Sequence, residues 1–316
     1  MAWDINQVKR EIRGPAALIM APFNEDLSLN VDALRHNIQY IREGGLKTGQ
    51  GFLICPCGSG EYLTLTPEEH LAMVKTAVEV ADGDLPVVAG VGGIDIRRVL
   101  ELTRAARKAG ASDSVDIGIM IYDQSWRGPL GTTISLGLME RLAGLKNVVS
   151  LKYGGPSLFE DMIVALEKFS DRFAFLENSL AYTGVVAHMH GGTAFVSGPS
   201  NWWPEFEIKY FQLVEEHKYA EADRMHARLA PYMALFHGEF WTGTAKLLPA
   251  AIVKASMEYV GLYGGPVRPP FRAMTPKEKE ELFAIMKHMD VQRNGENFKG
   301  WDFSAGPGKN IYPPQA

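Results

Sequence analysis

Residues 116–131, DIGIMIYDQSWRGPLG, and residues 147–155, NVVSLKYGG, decide how this chain is read. Each holds a short apolar run of buried-strand type that ends in a reactive side chain, Tyr122 on the first and Lys152 on the second. The segment near 135–146 between them reads as a helix. Lys152 closes Val148-Val149-Ser150-Leu151 and precedes Tyr153-Gly154-Gly155. A lysine at the end of a buried strand needs a reason. It pairs with a buried carboxylate, snorkels to water, or does chemistry.

The same alternation runs outward in both directions. Apolar runs at 16–23, 51–55, 86–92, 173–176 and 193–196 read as further strands. Amphipathic helices separate them. Asn30 caps one with Leu34, Ile38 and Ile41 on a stripe, closed by Gly44-Gly45. Thr66-Pro67-Glu68-Glu69 is a capping box with proline at the first helical position, followed by Leu71, Val74 and Val78. Ile96, Val99, Leu102 and Ala106 line a third, and helices near 157–169 and 180–190 continue the series. Strand, loop, helix in repetition means parallel βαβ units.

After Trp203 the pattern changes. Residues 205–235 and 243–260 read as long helices, Gly264-Gly265-Pro266-Val267-Arg268-Pro269-Pro270 breaks the chain, and Thr275-Pro276-Lys277-Glu278 starts a last helix. The expected organisation is an N-terminal arm over 1–14, a barrel over 15–204, a helical region over 205–290, and a tail over 291–316 ordered only by docking.

The fold class is α/β, a (β/α)8 TIM barrel with a C-terminal helical extension. Such a barrel needs eight strands, and about seven are countable. The deficit lies at Ala111-Ser112-Asp113-Ser114-Val115, where a helix passes almost directly into the Tyr122 strand. A barrel short of one strand exposes two parallel edges. The expectation is therefore that a fourth strand-helix unit is missing from this sequence.

Composition narrows the function. The chain has 316 residues, 46% hydrophobic and 22% charged, with net charge −5, so no basic excess points to nucleic acid or an anionic membrane. No apolar run is long enough to span a bilayer, and MAWDINQVKREIRGP has no signal-peptide core. Cys55 and Cys57, two apart on one strand, cannot staple the fold. Free thiols suit a reducing cytoplasm, the expected location, and both read as small apolar filler.

Several motifs carry little. Gly90-Val91-Gly92-Gly93 lacks the spacing of a dinucleotide loop. His188-Met189-His190 does not share a helical face and reads as helix-end packing, not as a metal site. His70 reads as a helix-surface residue. The aromatics from Trp202 to Trp241 read as core or oligomer interface.

Gly58-Ser59-Gly60-Glu61 is different. It follows a strand, so in a barrel it lies at the C-terminal mouth, where Gly58, Ser59 and Gly60 offer backbone N–H groups and a hydroxyl to a substrate carboxylate. Glu61 reads as a carboxylate that holds the turn. Tyr122 and Lys152 share that mouth. A shielded amine attacks a carbonyl to form a Schiff base, an electron sink, while a tyrosine hydroxyl shuttles protons. Arg127 holds a second carboxylate or a polar tail.

With these residues in view, the chain resembles the dihydrodipicolinate synthase / N-acetylneuraminate lyase superfamily of class I, Schiff-base-forming 2-oxo acid lyases. Gly58-Ser59-Gly60-Glu61 is similar to its glycine-hydroxyl loop, Tyr122-Asp123 to its tyrosine motif, Ser150-Leu151-Lys152 to its lysine segment, and Gly265-Pro266-Val267-Arg268-Pro269-Pro270 to its C-terminal element. The resemblance spans roughly 14–290. It implies a (β/α)8 barrel with helical extension, a homotetramer or homodimer, and a pyruvate-like 2-oxo acid substrate. It implies no cofactor beyond the lysine imine. The expected activity is a Schiff-base lyase or aldolase, with a 2-keto-3-deoxy sugar acid dehydratase and a non-catalytic binding barrel as alternatives.

Departures from the pattern are specific. The loop keeps one hydroxyl, and Gly58 stands where the family has its proton-relay threonine. Ser125 replaces a proline, and Trp126 implies a bulkier or apolar substrate wall. The absent fourth unit is the one that carries the family's neighbour-subunit tyrosine.

Overall fold

The computed structural model of the protein describes residues 4–92, 95–111, 118–123, 134–154, 160–179, 181, 183–236 and 249–291. Among them, β1 Gly14–Leu18, β2 Phe52–Ile54, β3 Val87–Val88, β4 Ile119–Tyr122, β5 Val148–Tyr153, β6 Ala174–Glu177 and β7 Ala194–Ser197 form one parallel sheet. Its order is β3-β2-β1-β7-β6-β5-β4. Because the first strand pairs with both the second and the last, the sheet curls as a (β/α)8-type barrel does. Helices α1 Ile5–Glu11, α2 Val31–Glu43, α3 Pro67–Ala81, α4 Ile96–Ala106, α5 Leu136–Ala143, α6 Glu160–Phe169 and α7 Gly184–Met189 alternate with the strands. Helices α8 Pro204–Glu215, α9 Tyr219–Ala227, α10 Ala230–Met233, α11 Pro249–Tyr259 and α12 Pro276–His288 complete the described chain.

Side chains alternate across the sheet as strand geometry requires. Ala16, Leu18, Phe52, Ile54, Ala174, Leu176 and Val196 fill an inner cluster. Ala17, Ile19, Leu53 and Cys55 face α2 and α3 outside, and Leu151, Tyr153, Phe173 and Phe175 face α5 and α6. Lys152, between two outward residues, therefore points inward.

Among the described residues β3 and β4 do not pair, so they are the sheet's two edges. This is the position of the expected missing unit. Its consequence is local exposure. Strand β5 is buried throughout, whereas on β4 Ile119 is 42% and Tyr122 37% exposed. On α4, Ile96 and Leu100 are exposed, although Ile96 belongs to the stripe read as buried. Only Leu102 and Ala106 of that stripe are buried.

Other expectations change in detail. The arm over 1–14 contains α1, capped by the Asp4 side chain, which accepts the Asn6 N–H at 2.9 Å. Val8 anchors α1 in the core cluster with Ile12 and the partly buried Ile5 beside it, a helical i, i+3, i+7 stripe in a stretch otherwise polar enough to read as an arm. The long helix expected over 205–235 breaks into three. His217 takes a left-handed φ of 57°, and the Lys218 N–H turns back to Leu213 O at 2.8 Å. That helix stop carries no glycine to announce it. His70 is buried, not superficial, because α3 buries Met73, Ala77 and Val80, a face that includes position 70. Its Nε2 lies 2.8 Å from Gly90 O. No helix among the described residues is long and apolar enough to cross a membrane.

Candidate active site at the C-terminal ends of the strands

Register brings the two reactive side chains together. Tyr122 pairs with Lys152 on β4 and β5, and Lys152 with Leu176 on β6. Lys152 is 7% exposed, and its Nζ lies 4.1 Å from the centroid of the Tyr122 ring. Among the described residues no carboxylate pairs with the amine. Of the three explanations for a lysine at this strand end, its burial speaks against an escape to water, and no ion pair forms among the described residues. The Asp123 N–H donates to Lys152 O at 3.0 Å, which carries the ladder to the end of β4. One strand further on, the Asn178 amide donates to the Tyr122 hydroxyl at 3.4 Å. Asn178 is itself only 7% exposed.

The glycine-rich loop stands at the same end. The Gly60 N–H donates to Cys57 O at 3.1 Å and to Cys57 Sγ at 3.2 Å, and the Cys57 thiol reaches Ile19 O at 3.4 Å. Cys57 is therefore more than filler, since it ties the loop to the end of β1. Burial pushes its thiol up to about 11, while the nearby Lys152 charge and the Gly60 and Ser59 N–H groups act against this. That coupling sets the loop within electrostatic range of the amine. Gly60 allows no side chain, because a Cβ would sit 2.1 Å from Ile19 O. Gly58 is exposed and Ser59 half-buried. Arg127, with Gln124, Ser125 and Trp126, lies outside the described residues.

Glu61 anchors the loop, as read from the sequence, with φ of 67°. Its Oε2 accepts from Lys254 Nζ at 2.5 Å, and its Oε1 from the Arg268 N–H at 2.8 Å. Both partners of the ion pair are buried. The Arg268 guanidinium grips Glu69 and the carbonyls of Leu27 and Thr64. Lys254 Nζ and Arg268 Cζ lie 4.6 and 4.0 Å from the Phe23 ring centroid. The Pro-rich C-terminal element thus supports the glycine-rich loop through Glu61.

The remaining motifs resolve structurally. A Cβ at Gly90 would lie 2.2 Å from Pro56 O, so that glycine permits one loop backbone to pack on another. His188 bonds Glu215 and Tyr219, and His190 lies 3.1 Å from Glu167, so the two histidines have separate partners. Among the described residues no three His, Cys, Asp or Glu side chains converge on a metal-sized space.

Comparison with known proteins agrees with this geometry. The model of the Dihydrodipicolinate synthetase family matches residues 11–117 and 113–289. The chain belongs to that family. The two matched segments overlap at 113–117, the place where the sequence reading counts one strand-helix unit too few. A 4-hydroxy-tetrahydrodipicolinate synthase of Methanoculleus marisnigri is 28% identical over 295 residues, covering 85% of this chain and 96% of the relative. A probable 5-dehydro-4-deoxyglucarate dehydratase of Bacillus licheniformis is 26% identical over 316 residues, covering 90% and 96%. Among solved structures, a prophage protein of the dihydrodipicolinic acid synthase family from E. coli, in complex with pyruvate, aligns with a TM-score of 0.74. It is 19% identical and covers 89% of this chain and 99% of its own. In this family member, sequence reasoning missed Asn178 and Lys254. Asn178 had a signal: it follows the last residue of a buried strand, at the same end as Lys152. Lys254 had none, because its partner lies 193 residues away.

Proposed function

We propose that this family member is a Schiff-base lyase in which Lys152 forms an imine with a 2-oxo acid and Tyr122 moves the protons. The supporting observation is the Lys152 amine, inward on β5 and 4.1 Å from the Tyr122 ring on the adjoining strand end. The amine attacks the C2 carbonyl carbon, and the carbonyl oxygen leaves as water after two proton transfers. The resulting iminium accepts the electron pair of the bond between C3 and C4, which releases an aldehyde and leaves an enamine. Protonation at C3 and hydrolysis return the 2-oxo acid and the free amine. The N–H groups of the Gly58-Ser59-Gly60 loop bind the substrate carboxylate. Arg127 serves a second carboxylate or a polar tail.

A second reading, loss of water from a 2-keto-3-deoxy sugar acid, uses the same iminium. It is favoured by the dehydratase relative, whose identity is nearly that of the synthase relative. No external cofactor takes part, because the lysine imine is itself the electron sink. The protein works as a cytoplasmic homotetramer or homodimer, which analytical ultracentrifugation tests directly.

Borohydride added with pyruvate tests the chemistry. The expected result is a reduced covalent adduct that maps to Lys152 and is absent from Lys152→Ala. A wild-type protein that gains no adduct refutes the imine. Pyruvate release, measured against water loss from 2-keto-3-deoxy acids, separates the two reactions.

A further inference from the structure

The Tyr122 hydroxyl has a partner that the proposed chemistry does not yet use. Three neighbouring strands end in inward polar side chains: Tyr122 on β4, Lys152 on β5 and Asn178 just beyond β6. Asn178 lies two residues past Leu176, which pairs with Lys152, so the strand period of two carries it to the same inner face. Its Nδ2 reaches across Lys152 to the Tyr122 oxygen. The backbone under it is firmly held. Glu177, 3% exposed, accepts the Ser179 N–H at 2.5 Å, the Ala181 N–H at 3.2 Å and the Thr183 hydroxyl at 2.8 Å. By contrast Tyr122 stands on an edge strand, 37% exposed, with no strand on its other side among the described residues. The loop opposite offers no hydroxyl at Gly58.

We infer that Asn178 is the positioning residue for Tyr122, holding the phenol oxygen over the lysine and aiming its proton at the reacting carbons. An N–H donated to that oxygen occupies one lone pair. The phenol's own proton must then point away from Asn178, and its oxygen remains stabilised when that proton has been given up. The role rests on the Schiff-base reading of Lys152. It requires donation by Asn178, not acceptance, and that makes it testable by an isosteric change.

Pyruvate serves as the probe, with two readouts: borohydride trapping on Lys152, and exchange of pyruvate C3 protons in D2O followed by NMR. Exchange needs imine formation and then removal of a C3 proton to give the enamine, which takes up deuterium. Asn178→Asp keeps the shape but removes the N–H, and Asn178→Ala removes the side chain. Both are expected to slow exchange at saturating pyruvate by roughly 10-fold or more. The pyruvate concentration at half-saturation and the final extent of trapping are expected to change little. In the Tyr122→Phe background the same changes are expected to have no further effect, because Asn178 acts through the hydroxyl that is gone.

Exchange by Asn178→Asp at the wild-type rate overturns the inference. So does an undiminished Asn178→Ala effect in the Tyr122→Phe background, which marks a merely structural role. Variants that no longer trap pyruvate at all overturn it too, since the defect would lie in folding or binding. Absence of trapping in the wild-type protein refutes the Schiff-base reading itself, and the role of Asn178 falls with it.

Discussion

Lys254→Met tests whether the glycine-rich loop that ends in Glu61 depends on a support built far along the chain. Lys254 and Glu61 side chains are 2% and 0% exposed, with Nζ 2.5 Å from Oε2. Removing the ammonium leaves Glu61 buried, with the Arg268 N–H still donating to it at 2.8 Å. A buried charge left without its partner costs about 3–5 kcal/mol. The Pro266 carbonyl, which accepts from Nζ at 2.8 Å, loses its donor as well. At about 2–4 °C per kcal/mol for a chain of this size, Tm falls by roughly 10 °C. Glu61→Gln keeps an acceptor for Arg268 but strands the ammonium, so its cost is similar. The double variant removes both charges and should cost less than the sum, with a coupling of about 2 kcal/mol or more. Burial pushes the Lys254 amine down, and Glu61 opposes this. In Glu61→Gln that opposition is lost, and the folded pKa falls further below the unfolded one. The unfolded chain then binds the extra proton, so the stability of this variant rises with pH. Urea denaturation of the four proteins at two pH values reads all of these effects. A Lys254→Met cost below about 1 kcal/mol, or strictly additive variants, refutes the reasoning.

Glu207 supplies a second pH test. Burial pushes its carboxyl up to about 8, against a Ser197 hydrogen bond. A folded pKa above the unfolded value means that the folded state holds the proton. The stabilising effect is complete below about pH 4.3 and is lost as pH rises towards 8. Glu207→Gln should therefore gain stability over wild type on going from pH 5 to 8, by up to a few kcal/mol; parallel urea curves at both pH values would refute this. In the 57–61 loop, Gly58→Ser should be tolerated, since a Cβ there meets only the Tyr62 ring, at 3.8 Å. Gly60→Ala should cost about 1–3 kcal/mol and weaken pyruvate binding, and equal melting temperatures for the two variants would contradict the geometry. Cys57, held near 11 by burial, should resist iodoacetamide at pH 8 in the native protein and react once unfolded. Stoichiometric native labelling would show that the loop opens.

Much of the site is legible in the chain order. Lys152 and Tyr122 are recognisable because each closes an apolar run, and consecutive parallel strands bring their C-terminal ends to one mouth. Glu61 as a holding carboxylate follows from its place after a glycine-rich turn. His70 and Cys57 were harder. His70 has no second histidine four residues on and reads as a helix-surface residue, and a small apolar residue gives no sign of the thiol's hydrogen bonds. Residues 205–235 read as one helix because the break at His217 uses a left-handed backbone that a glycine usually marks and that other residues adopt only occasionally.

By itself, the sequence determined the βαβ alternation, about seven strand runs, a lysine and a tyrosine at neighbouring strand ends, and the place where the strand count falls one short. Periodicity and chain connectivity are local, so they can be read one residue after another. Only the tertiary structure decided that Lys254 meets Glu61 across 193 residues and that Asn178 meets Tyr122 across 56. It also decided that, among the described residues, Tyr122 stands on an edge strand and is 37% exposed. These facts depend on how the sheet curls and which faces pack, and the free energy of burying paired polar groups exists only once distant segments have come together.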